Sequence, residues 1–103
     1  MKVVCYGKEY EVDIVTSTYQ SNDNLAICLL EEGFPFATIT VNLDEKLAPD
    51  FAFVDVNNCP WAEDFIKDNK LGHCAGVWKG SGYCKYPLYK FNLKEIEKYA
   101  GSR

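Results

Sequence analysis

Glu9-Tyr10-Glu11-Val12-Asp13-Ile14-Val15 alternates carboxylates with apolar side chains at period two. Successive side chains of an extended chain point to opposite faces, so Tyr10, Val12 and Ile14 face a core while Glu9, Glu11 and Asp13 face water. Gly7-Lys8 just upstream can turn the chain back from a first strand over residues 2–6. Downstream, the apolar run of residues 25–31 suits a central strand and is broken by Glu32-Gly33-Phe34-Pro35. Residues 36–43 alternate Phe36, Thr38 and Thr40 against Ala37, Ile39, Val41 and Leu43, and residues 51–56 form another β-like stretch. Together these segments predict an antiparallel sheet of four or five strands.

The period changes after residue 57. Pro60 suits the first turn of a helix, Glu63 and Asp64 sit near its positive end, and Lys67 and Lys70 near its negative end, with Gly72 available as a left-handed cap. Trp61 with Phe65 and Ala62 with Ile66 are four apart and share an apolar face, so a helix over 61–71 packs on the sheet with Trp61, Phe65 and Ile66 buried. A short last helix begins at Asn92, whose side chain caps while Glu95 reaches back, with Leu93, Ile96 and Ala100 inward. Residues 72–91 between them, rich in glycine, tyrosine and cysteine, read as a structured loop region. The expectation is one α+β domain over 1–103.

Its 103 residues, 48% of them apolar and 15% aromatic, exclude a disordered tail and supply one core. No run approaches a membrane-spanning length and the start lacks the apolar stretch of a signal peptide, which places the chain in the cytoplasm. Charge is unevenly spread. Residues 1–64 carry twelve carboxylates against three lysines, a balance of −9, whereas from Phe65 onward seven lysines and Arg103 face three carboxylates, a balance of +5. Such a dipole steers association with basic surfaces. The carboxylates placed to meet a partner are Glu9, Glu11 and Asp13 on one strand face and Asp44, Glu45 and Asp50 on a loop. The plainer alternative is two solvated faces that differ.

One histidine and one arginine are a thin inventory for catalysis. His73-Cys74 lacks a third orienting group, and neighbours seldom aim their side chains at each other. Gly80-Ser81-Gly82 has neither nucleophile-elbow nor phosphate-loop spacing and reads as a turn. The chain is therefore expected to be no enzyme. Metal binding is the stronger chemistry, because Cys59, His73, Cys74 and Cys84 fall in or beside predicted loops and a Cys/His mixture is what a structural zinc site uses. Against it stand the wide spacings between the cysteines and the habit of buried cysteine to act as a small hydrophobe, as Cys28 does between Ile27 and Leu29. Trp78, Lys79, Tyr83, Lys85, Tyr86, Tyr89 and Lys90 interleave bases with rings, a pattern that can stack unpaired nucleotides. The acidic balance, with pI near 4.9, argues against direct nucleic-acid binding.

Four stretches carry a resemblance: Asn24-Leu25-Ala26-Ile27, Pro35-Phe36-Ala37-Thr38-Ile39-Thr40-Val41-Asn42-Leu43, Asn57-Asn58-Cys59-Pro60-Trp61-Ala62-Glu63-Asp64-Phe65-Ile66 and Gly80-Ser81-Gly82-Tyr83-Cys84-Lys85-Tyr86-Pro87-Leu88-Tyr89. In these the chain resembles small uncharacterised proteins carried by conjugative elements and phages of gut bacteria. The resemblance implies a habitat in which mobile DNA meets host defence, and with it an anti-restriction or anti-CRISPR protein that binds a nuclease and blocks it. An RNA-guided type II CRISPR nuclease holds its heteroduplex in a positively charged channel, a surface the acidic first half could meet. The other expectation is an accessory or regulatory module of the mobile element, zinc-stabilised and contacting nucleic acid through its basic aromatic segment.

Overall fold

The structure, a computed structural model, describes residues 1–100. The acid–apolar run is extended as its period requires, but it forms two strands, β2 (Lys8–Glu11) and β3 (Asp13–Thr18), on either side of buried Val12. β2 pairs antiparallel with β1 (Lys2–Cys5), and β3 pairs with β4 (Leu25–Glu31). The β1–β2 loop is only Tyr6-Gly7, at φ of 52° and 78°. Glu32-Gly33, at 52° and 86°, closes β4 onto β5 (Phe34–Thr38) in the same way. Two successive positive φ values mark the type I′ turn, whose twist matches that of the flanking strands.

The run continues past Ile39 into β6 (Thr40–Val41), which pairs with β7 (Phe51–Val54). β7 pairs in turn with β9 (Cys84–Phe91), and β9 with β8 (Gly72–Ser81). The result is three antiparallel sheets in the orders β1-β2, β3-β4-β5 and β6-β7-β9-β8, linked by the runs 8–18 and 34–41 that leave one sheet and enter the next. One core lies within, built on Val3, Val12, Ile14, Ile27, Leu29, Ile39, Val54, Phe65, Ile66 and Phe91. Helix α1 (Ala62–Asp68) lies against β1 and β8, and helix α2 (Leu93–Ala100) against β3. This is the expected α+β class with a packed helix and a short C-terminal one.

Residues 72–91, expected as a loop region, form the longest hairpin of the molecule. Helix α1 buries Phe65 and Ile66 as its spacing requires, while Trp61 is half-buried in an aromatic row with Tyr10, Phe36 and Phe65, at successive centroid distances of 5.0, 5.9 and 6.2 Å. Lys70, at φ 56°, takes the left-handed C-terminal position rather than Gly72. Leu71 N–H then donates to Ile66 O at 2.9 Å and Lys70 N–H to Lys67 O at 3.1 Å, the two bonds of a Schellman ending. Gly72 serves otherwise: a Cβ there would lie 2.5 Å from Lys90 O, so it lets β8 approach β9.

At α2, Asn92 Oδ1 accepts from Glu95 N–H at 3.2 Å as expected. The reciprocal bond is replaced, because Asn92 N–H donates to Leu71 O at 2.7 Å and the Glu95 carboxylate meets Lys98 at 3.2 Å. The inward side chains are Leu93, half-buried, and Ile96, buried; that of Ala100 lies outside the described residues. No described helix is long and apolar enough to cross a membrane.

Candidate partner-binding surface

Hairpin β8–β9 is two-faced in one strand only. β9 buries Pro87, Tyr89 and Phe91 and exposes Lys85 and Lys90, whereas β8 has no buried residue at all. The ladder slips between Cys74, opposite Tyr89, and Trp78, opposite Pro87, so that residues 75–77 bulge with Gly76 at φ 81°. Bulges twist an edge strand and re-aim its side chains. Here Val77 and Trp78 stay about half exposed, at 53% and 51%, and Tyr83 in the two-residue loop is fully exposed. A large aromatic is usually buried on average, and this hairpin carries three of the seven exposed large apolar side chains among the described residues.

The tyrosines expected in the basic aromatic segment separate by burial. Tyr89 belongs to the core and donates its hydroxyl to Glu63 Oε2 at 2.6 Å, tying β9 to α1; burial first, and then that carboxylate, push its phenol upward. Tyr86 is half-buried and is likewise pushed up, by desolvation and then by Cys84. Only Tyr83 presents its whole ring.

The zinc expectation is overturned. Among the described residues no group of three His, Cys, Asp or Glu side chains is placed to hold a metal ion. Strand geometry is the reason. His73 and Cys74 are successive residues of β8 and point to opposite faces, His73 opposite Lys90 and Cys74 opposite Tyr89. Cys84 stands five residues from Tyr89 along β9, which at about 3.3 Å per residue separates it from Cys74 by roughly 16 Å. Cys59 is buried and its Sγ donates to Thr38 O at 3.7 Å. Burial, and after it Asp55 and Cys5, push its thiol up to about 11, opposite to what a metal-bound thiolate needs.

The acidic positions are largely engaged. Glu9, Glu11 and Asp13 line the exposed side of β2 and β3, as read from their period. Glu9 meets Lys2 at 3.5 Å, and Glu11 holds the Met1 ammonium at 2.7 Å, which depresses its carboxyl. In the loop 42–50, Asp44 is exposed, Asp50 is half-buried, and Glu45 pairs with Lys79 at 2.6 Å, fixing the loop to the hairpin. The same loop is pinned from inside by Asn24, 3% exposed, whose amide donates to Glu45 O at 2.6 Å and Asn42 Oδ1 at 3.2 Å and accepts from Leu47 N–H at 2.9 Å. Asn22 and Asn42 complete this network. Its only trace in the sequence is the density of asparagine at 22–24 and 42, which by itself reads as turn composition.

A family model, described as a domain of unknown function (DUF4313), matches residues 13–103. The chain belongs to the DUF4313 family. The match takes in β3 through α2, and thus the Asn24 network and the whole β8–β9 hairpin, while β1 and β2 precede it. No curated protein and no solved structure matches the chain.

Proposed function

We propose that this DUF4313 chain is a non-enzymatic binding protein of the cytoplasm that docks on another protein through the β8–β9 hairpin. The observation that carries the reading is the exposure of Val77, Trp78 and Tyr83 on one hairpin whose other strand is anchored in the core by Pro87, Tyr89 and Phe91. Aromatic anchors on a rigid support, with few rotamers to immobilise, are what concentrated interface energy uses. Around them the charge is mixed, with exposed Lys85 on the hairpin and the Glu45–Lys79 pair beside it. The carboxylates of β2 and β3 act at longer range, steering approach to a basic partner.

The partner proposed first is a type II CRISPR nuclease, supported by the mobile-element resemblance and by the −9 balance of residues 1–64. The test is DNA cleavage by such a nuclease, with the full chain in large molar excess. Inhibition by the wild type that is lost in Trp78→Ala/Tyr83→Ala supports the reading. Cleavage and DNA binding left untouched by the wild type would remove this partner.

A further inference from the structure

A cleft of about 400 Å³ opens where the far end of the hairpin meets the start of α2. His73, Lys90 and Lys94 line it together with Asp50, Asn92 and Leu93. His73 and Lys90 are cross-strand partners in the β8–β9 register, so their side chains leave the sheet on the same face, and Lys94 reaches the cleft from the second residue of α2. Four lysines outside the cleft have partners: Lys2 with Glu9, Lys79 with Glu45, Lys98 with Glu95, and Lys46 with a carbonyl oxygen. Neither the Lys90 nor the Lys94 ammonium makes a hydrogen bond or an ion pair among the described residues, and the His73 ring makes none either. A chain of net charge −4 thus gathers two uncompensated ammonium groups and an imidazole around one concave space, with a single carboxylate, Asp50, in its wall.

From this convergence of cationic side chains on one cleft, we infer that it is a binding site for a phosphoryl dianion, free or on a small organic body. Two lysines supply charge without demanding one geometry, His73 and the Asn92 amide supply directional donors, and Leu93 gives an apolar wall for whatever carries the phosphoryl group. The volume falls within the range of small-molecule sites and far exceeds a bare phosphate. The compact shape separates this site from a nucleic-acid track, which needs charges strung along a groove. The inference is independent of the docking role proposed for Val77, Trp78 and Tyr83.

Backbone amide shifts of the full chain, titrated at constant ionic strength with inorganic phosphate, adenosine monophosphate and adenosine, test it. Phosphate and the monophosphate should move the amides of residues 72–73 and 90–94 by about 10 mM, the weak-binding range, and adenosine should not. A monophosphate tighter than phosphate would identify an organic phosphate as the ligand; equal affinities would identify the free anion. Lys90→Gln/Lys94→Gln should weaken binding at least about tenfold and Asp50→Asn should tighten it roughly threefold, from the gain and loss of opposed charge at close range. Lys67→Gln, which does not line the cleft, should change nothing. Amides unmoved by either phosphate compound, or movements that persist in the double variant while its spectrum stays folded, would overturn the assignment.

Discussion

Lys70 holds a left-handed backbone at φ 56° with a side chain that disfavours it, because the Schellman ending of α1 requires that conformation at this position. Lys70→Gly should therefore stabilise the fold by about 0.5–1 kcal/mol in denaturant unfolding, the steric relief exceeding glycine's entropic cost. Gly72, two residues on, should behave in the opposite sense. Its replacement by alanine drives a Cβ against the Lys90 carbonyl in the backbone of β9, where nothing yields easily, and should cost about 1–3 kcal/mol. Reading Gly72 as the cap was reasonable from residue type; the close approach of β9 that needs it is a long-range fact.

Cys59 adds a pH dependence. Its thiol is raised in the folded chain to about 11 from the ordinary value near 8.5, so the folded state resists losing that proton. The resulting stability is complete below about pH 8.5 and is lost as pH rises toward about 11. Unfolding free energy measured across that window should fall for the wild type and fall less for Cys59→Ala. Tyr89, also raised, adds a loss in both proteins that begins near the ordinary tyrosine value of about 10 and so overlaps the upper part of this window.

At the scale of elements, a segment was legible where burial differs between its faces. β2 and β3 show acids and apolar residues in alternation because one side meets the core, and α1 shows its four-residue spacing for the same reason. β8 has no buried residue, so it carries no period, and with Gly72, Gly76 and Gly80 along it the strand looked like a loop. Its partner β9 does alternate, with Pro87 in its middle, and lies between β7 and β8 in the sheet order, a place proline usually avoids. The ladder tolerates Pro87 because the β7 pairing covers only Leu88 to Lys90 of that strand. The acidic positions were readable as exposed groups, while the cations they meet, Lys2 and the Met1 ammonium from the neighbouring strand and Lys79 from the far hairpin, depend on how the strands pair.

Loop 42–50 belongs to the same scale. It has no strand or helix of its own, and its conformation rests on the buried Asn24 amide and the Glu45–Lys79 contact. Asn24→Ala would leave Leu47 N–H and Glu45 O without their partner and should cost about 2 kcal/mol in chemical unfolding. Amide exchange at residues 44–47 should quicken before global unfolding, while β4 stays protected.

Across the whole molecule, acidic charge gathers toward the start of the chain and the exposed Val77, Trp78 and Tyr83 lie toward its end. The carboxylates of β2 and β3 lie on strands that begin the chain, where β1 and its turn also expose Val4 and Tyr6, while Val77, Trp78 and Tyr83 lie on the β8–β9 hairpin nearer its end. In the proposed docking, salt at molar strength screens the carboxylates' attraction within a few ångströms and leaves the apolar anchoring. The β8–β9 hairpin is the proposed docking element. Hydrogen–deuterium exchange of the full chain, alone and mixed with a type II CRISPR nuclease, tests it most directly. The predicted result is slowed exchange over residues 75–84 in the mixture, with β3 and β4 unchanged. Slowing confined to β1–β3, or none anywhere, would contradict it.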